Sequence, residues 1–316
     1  MTLVIVGHER VKDGWTEVWG GQSEQIKLKS KGLFAVSDSV ITTSGSAGMK
    51  PLLSGLRKVH SIAIQLWKPY FVGSHFRDYL EVQQRLECFI AFSGSTLTAT
   101  HAINLISEHL GKLQISYARS SDKGPRAYIV QRHCESNELR DSQGLTVLGD
   151  DMFTPTDMAR LLTASYISEV VEHSINVALR SAKHYRLTAQ EVELMRTDFA
   201  AGIFCPASEA HRLFIYRMNE RQNEDGVLEV YSTKEEVPDD RIAVLGMRER
   251  FESRAQMEYE QALKQGKATG NEMFKFLNSA IDEVAANGSF EIDRPSSYKR
   301  LYQGSLKKIS FLERAF

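Results

Sequence analysis

At Thr96 the spacing of apolar residues changes from that of strands to that of a helix, and the order of such changes limits the fold more than any other feature. Before Thr96 the apolar runs are short. Leu3 to Val6 forms one, and Gly32 to Val36 another that stops at Ser37-Asp38. Lys58 to Ile64 alternates as a half-buried strand does, and Cys88 to Phe92 stops at Ser93-Gly94-Ser95-Thr96. After it, Leu97, Ile103, Ile106 and Leu110 share one helical face, with Gly111 as a stop signal. Thr154-Pro155-Thr156-Asp157 is a helix-start signature, which predicts a long helix from Met158 to Lys183. Strands are predicted over Ala200 to Phe204, Leu213 to Met218 and Val227 to Tyr231, the last after an Asp225-Gly226 turn. Ile242 to Gly246 is a further strand, helices follow over Glu249 to Lys264 and Asn271 to Ala286, and the tail from Phe290 reads as one or two strands.

Strands, two helices, strands, two helices and a closing strand suit an α+β fold. The predicted architecture is a four-layer αββα sandwich, two stacked antiparallel sheets with helices outside each, formed by 1–316 as a single domain. Polar stretches near 8–31, 65–87 and 113–150 are predicted insertions, and Trp15, Trp19 and Trp67 lie in or near them, suited to packing a loop or an intersubunit contact. Tyr70 to Glu87 fits neither period cleanly.

Composition removes several classes of function. With 39 basic and 40 acidic residues the net charge is -1, so no overall field favours nucleic acid or an anionic membrane as partner. The sequence shows no secretory leader and no apolar run of about eighteen residues, so the expected location is the cytoplasm. Cys88, Cys134 and Cys205 are odd in number and lack a Cys-x-x-Cys pair, which points to reduced thiols rather than a disulfide framework or zinc knuckle. His133-Cys134 is an adjacent pair of soft ligands without a second pair, and His101 and His109 are expected on a helix surface or packing face, so neither a metal nor a cofactor is assigned. Ser44-Gly45-Ser46-Ala47-Gly48 lacks the Gly-Lys-Ser/Thr of a phosphate loop. His-Glu-x-x-His and Gly-x-Ser-x-Gly are absent as well.

Thr2 carries the chemistry that remains. Directly behind Met1 and at the head of a strand, it becomes N-terminal once a single methionine is removed. A threonine hydroxyl is a poor nucleophile alone, but an N-terminal α-amine with a pKa of about 7.7 to 8 can serve as its base.

Four segments, Met1-Thr2 with its strand, Gly32 to Ser39, Arg57-Lys58-Val59-His60 and Phe92 to Ala99, together resemble the proteasome β-subunit family of N-terminal nucleophile (Ntn) hydrolases. The bacterial Anbu type of that family shares the resemblance, and Ile242 to Gly246 before a helix matches a later strand-to-helix junction of that family. The resemblance implies a threonine-type peptidase or amidohydrolase: Thr2 is the nucleophile, Asp38 holds Lys58, Lys58 lowers the cost of deprotonating Thr2, and the Gly94 N–H meets the oxyanion. Loss of such a donor costs about 2.7 to 4 kcal/mol. A homo-oligomeric ring or helical assembly and a peptide or protein substrate are implied too, while no residue pattern points to an activating ATPase partner.

The sequence also departs from that family. Thirty-five residues separate Thr2 from Asp38, and thirty-five separate Lys58 from Gly94, longer than in proteasome subunits. Gly246-Met247-Arg248 lacks the serine expected near the nucleophile. These departures leave two alternatives open, a catalytically silent scaffold or assembly subunit and an amide-transfer enzyme of the same fold.

Overall fold

Leu3, Val4, Ile5 and Val6 have no exposed surface. A strand buried on both sides needs cover on both, and the covers of β1 (Leu3–Lys12) are different. Leu3 and Ile5 pack with helical residues such as Phe251, Tyr259, Leu277 and Ile281, whereas Val4 and Val6 pack with strand residues such as Phe89, Ala91, Ala200 and Leu213. The computed structural model describes residues 2–12, 28–45, 48–73, 75–118, 127–141, 158 and 160–313.

Strand β1 lies between β2 (Leu28–Ser37) and β12 (Ile242–Gly246), and pairs antiparallel with both. With β13 (Ser296–Tyr302) and β14 (Ser305–Leu312) they form a five-stranded sheet in the order β12-β1-β2-β13-β14. The second sheet has seven strands, ordered β11-β10-β9-β6-β5-β7-β8. These are β5 (Val59–Val72), β6 (His75–Gly94), β7 (Leu113–Ala118), β8 (Ala127–Arg132), β9 (Thr197–Cys205), β10 (Ala210–Gln222) and β11 (Leu228–Val237). A separate hairpin joins β3 (Ile41–Gly45) to β4 (Gly48–Leu53).

Two-residue alternation explains how the layers meet. In β6, Cys88, Ile90 and Phe92 face the same core as helices α1 (Thr96–Gly111) and α3 (Ala164–His184), while Phe89 and Ala91 face the first sheet. In β2, Phe34 and Val36 face α5 (Arg248–Gln265) and α6 (Thr269–Ala286), while Leu33 and Ala35 face the second sheet. The apolar side chains thus form three cores: one under each pair of helices, and one between the sheets. Short helices α2 (Glu138–Asp141) and α4 (Ala189–Met195) complete the set; α4 was not foreseen from the sequence, although Thr188 and Glu191 form a capping box at its start.

Three expectations change. The long helix begins at Ala164, not Met158, because Thr163 is its N-cap and accepts a hydrogen bond from the Tyr166 amide at 3.2 Å. The start signature at 154–157 lies outside the described residues, as do Trp15 and Trp19. The ambiguous Tyr70 to Glu87 stretch belongs to a single long hairpin of β5 and β6, whose register shifts three times and so blurs the two-residue period. Trp67 in that hairpin donates its indole N–H to the Gly111 carbonyl at 2.9 Å, satisfying an end group of α1. Finally, the seven-stranded sheet is not purely antiparallel, since β7 runs parallel to β5 beside Leu66 and Trp67. From Val59 to Leu66 β5 climbs about 23 Å, and α1 climbs about 24 Å. The helix therefore returns the chain to the level of Leu66, from which β7 continues in the direction of β5. No helix among the described residues is long and apolar enough to cross a membrane.

His211 bridges the sheets at one edge. Its ring stacks on Tyr302, with centroids 5.9 Å apart, and its Nε2 accepts the Gln303 amide at 3.1 Å. Burial pushes its pKa down from 6.5 to about 4. A histidine with a depressed folded pKa contributes stability that is present above its unfolded value and lost as pH falls. Urea midpoints should therefore decline between pH 6.5 and 4, and His211→Gln should make that decline shallower; an unchanged pH slope in the variant would exclude this role.

Candidate active site

Strand β1 carries Thr2 to the end of the first sheet. The Thr2 carbonyl accepts the Met247 amide at 2.9 Å, across a junction where Gly246 has φ +91°. A Cβ on Gly246 would stand 1.9 Å from the Thr2 oxygen, so the close approach of β1 and β12 requires glycine there.

Asp38 follows β2 and has no exposed surface. Its Oδ1 accepts the Leu3 amide at 2.9 Å and its Oδ2 the Val40 amide at 3.2 Å, while its own amide donates to the Leu3 carbonyl at 3.2 Å. Lys58, directly before β5, is 2% exposed, and its carbonyl accepts the Phe92 amide at 3.1 Å. Its Nζ donates to both Asp38 oxygens, at 2.9 and 2.8 Å, and to Thr2 Oγ1 at 3.0 Å.

An ammonium has three protons, and these three acceptors use them all. Burial pulls the Lys58 pKa below its usual range, and the Asp38 charge opposes that pull. The Thr2 oxygen is thus an acceptor toward Lys58, which leaves its own proton to point elsewhere.

Gly94 closes β6 with φ +118°, and a Cβ there would lie 2.1 Å from the Arg196 carbonyl. The next residue, Ser95, donates its amide to that carbonyl at 3.0 Å and accepts the Thr98 amide as N-cap of α1. Thr2, Lys58 and Gly94 line one cleft of about 540 Å³, and Asp38 lies behind Lys58, away from its surface. A larger cavity of about 870 Å³ is lined by His8, Arg10, Glu236 and Asp239 and touches none of these four residues.

Two further residues of the cleft had no role assigned from sequence. Ser93 Oγ lies 2.9 Å from the point that a Gly246 Cβ would occupy, beside the Thr2 carbonyl. Asp198 of β9 is held by Arg217 at 2.5 Å and by the Met218 amide at 3.3 Å. An acidic residue opening the apolar run Phe199 to Ile203 was the available signal for Asp198. Ser93 carried none, because a serine before glycine at a strand end is ordinary turn chemistry.

No family model matches the chain, and no curated protein matches its sequence. Among solved structures it is similar to Anbu from Hyphomicrobium sp. strain MC1. The alignment covers 99% of this chain and 87% of that one, with 10% identity and a TM-score of 0.39. A mutant of the same protein covers the same shares, at 11% identity and a TM-score of 0.40. The likeness is a distant one.

Removing one member of the Asp38–Lys58 pair strands a buried charge, which typically costs about 3–5 kcal/mol. Asp38→Ala should lower the urea-unfolding free energy by about that much, and Asp38→Leu combined with Lys58→Met should cost less than the two single substitutions added together. Strict additivity in such a cycle would mean that the two charges are not coupled.

Proposed function

We propose that this chain is an N-terminal threonine hydrolase, built as an αββα sandwich, that cleaves amide bonds of peptides through an ester at Thr2. The observation that carries the proposal is the 3.0 Å contact from Lys58 Nζ to Thr2 Oγ1, at the wall of a cleft and with Asp38 behind it.

Removal of Met1 frees the Thr2 amine. The fixed ammonium of Lys58 stabilises negative charge developing on Oγ1, and its three protons are already engaged, so the amine is the group that takes the hydroxyl proton. Oγ1 then attacks the amide carbon, and the oxyanion that forms is met by the Gly94 N–H. Collapse breaks the C–N bond, the leaving amine receives the proton, and an acyl ester remains on Thr2. Water, deprotonated by the same α-amine, cleaves the ester and restores the hydroxyl. Ser93, which lines the same cleft, is the group assigned here to relaying the proton, in place of the serine missing after Gly246.

The family resemblance extends the proposal to a homo-oligomer, and the unpaired cysteines extend it to a cytoplasmic one. Thr2→Ala should abolish hydrolysis of fluorogenic peptides while the protein stays folded, at a cost of about 1–3 kcal/mol in unfolding free energy for the buried Lys58 proton left without its acceptor. Full activity in that variant would remove Thr2 as nucleophile.

A second reading, a catalytically silent scaffold, is favoured by the 8% exposure of Thr2. Intact mass separates the readings. The hydrolase is expected to have lost one methionine, and complete retention of Met1 in active preparations would exclude the amine-as-base mechanism.

A further inference from the structure

Three soft-ligand side chains from separate segments meet at the end of α1 remote from Thr2. His109 lies in the last turn of α1, Cys134 in the turn after β8 and His173 within α3. One donor atom from each lies within 4.8 Å of the other two. The segments are distant in sequence, and so no spacing motif joins them.

The His109 ring is already fixed in a ligating tautomer. Its Nδ1 lies 2.8 Å from Ser174 Oγ, and Ser174 Oγ donates its single proton to the Val170 carbonyl at 2.6 Å. Ser174 can therefore only accept from His109, which puts the ring hydrogen on Nδ1 and the free electron pair on Nε2. A metal-bound histidine is commonly held this way, with its second nitrogen donating to a neighbour.

Polar atoms around the cluster also want partners. The His133 ring is centred 5.9 Å from that of His109, and its Nδ1 is buried with no hydrogen-bond partner among the described residues. The same is true of the Tyr166 hydroxyl, which sits two turns before His173 on the same face of α3. Water on a metal held by the three residues would supply such partners.

We propose that His109, Cys134 and His173 bind a zinc ion, with water as the fourth ligand, and that the ion clasps the turn after β8 to α1 and α3. Two imidazoles and a thiolate suit zinc and exclude magnesium and calcium, which take oxygen ligands. Bond lengths of about 2.0–2.1 Å to nitrogen and 2.3 Å to sulfur set tetrahedral ligand atoms roughly 3.3–3.7 Å apart. Contraction from separations of up to 4.8 Å is at most about 1.5 Å, within reach of side-chain rotations of the exposed Cys134 and the half-buried His173. Binding releases the thiol proton of Cys134 to solvent. From Ser95 to His109 α1 extends about 21 Å, so the ion acts on stability rather than in the Thr2 cleft, and the proposal stands apart from the hydrolase reading.

Tag-free full-length protein, stripped with a chelator, is titrated with cobalt(II) and then zinc(II). The expected result is one equivalent of cobalt with a thiolate charge-transfer band and tetrahedral absorption, both erased by zinc. Cys134→Ser should remove the band, and Cys134→Ser and His173→Gln should each weaken zinc binding by at least about tenfold. Neither residue is buried, so circular dichroism is expected to show native folds. In the unsubstituted protein, zinc should also slow alkylation of Cys134 and raise the thermal midpoint, a readout that needs no variant. Absence of stoichiometric binding, a band that survives Cys134→Ser, unchanged zinc affinity in His173→Gln, or alkylation indifferent to zinc would each overturn the site.

Discussion

A carboxylate with no exposed surface must replace its lost hydration with donors, and Asp38 does so with three groups from different parts of the chain. The Leu3 amide comes from β1, the Val40 amide from the turn after β2, and the Lys58 ammonium from the start of β5. Since β1 and β2 belong to one sheet and β5 to the other, this side chain ties the two sheets together at the end where Thr2 emerges. Asp38 and Lys58 are each acceptable in the interior only because of the other. Buried ion pairs are often no more stabilising than apolar residues of the same size, so the value of this one lies in orientation. It brings a cation to the Thr2 hydroxyl and leaves no proton on that cation uncommitted.

The glycines on either side of Thr2 serve the same geometry. Gly246 lets β12 approach the Thr2 carbonyl, and Gly94 lets the β6–α1 turn approach Arg196. Both adopt positive φ, and at both a Cβ would run into backbone that has no freedom to move. At these two points the cleft is shaped by main chain, while side chains such as Ile41, Leu56 and Leu194 complete its lining. Rigid surroundings of this kind are what a hydroxyl held at 3.0 Å from an ammonium requires.

Much of the fold was legible because burial leaves a period in the sequence. Ile242 to Gly246 was read with the ends that the structure has, and the helices α5 and α6 were read to within one or two residues of theirs. Where the period was disturbed, the reading failed. The bulges of the β5–β6 hairpin broke its alternation, and the true start of α3 was hidden because Thr163 was a less conspicuous cap than the Thr-Pro-Thr-Asp ahead of it. Helix α4 has only seven residues and one buried apolar side chain, too few to make a helical stripe.

From sequence, the family resemblance singled out Thr2, Asp38, Lys58 and Gly94, and the positions of strand ends and turns, which are local matters, put each on its element. Thr2 before β1, Asp38 after β2, Lys58 before β5 and Gly94 closing β6 are all positions of that kind. Only the tertiary structure decided which of them touch. A hydrogen bond needs its atoms within about 3 Å, and residues separated by dozens of positions come that close only through sheet pairing and stacking. The same pairing drew Ser93 and Asp198 into the Thr2 cleft, and helix packing gathered His109, Cys134 and His173. Long-range contact of this sort has no period in the sequence, since it depends on register and layer order rather than on the neighbours of any one residue.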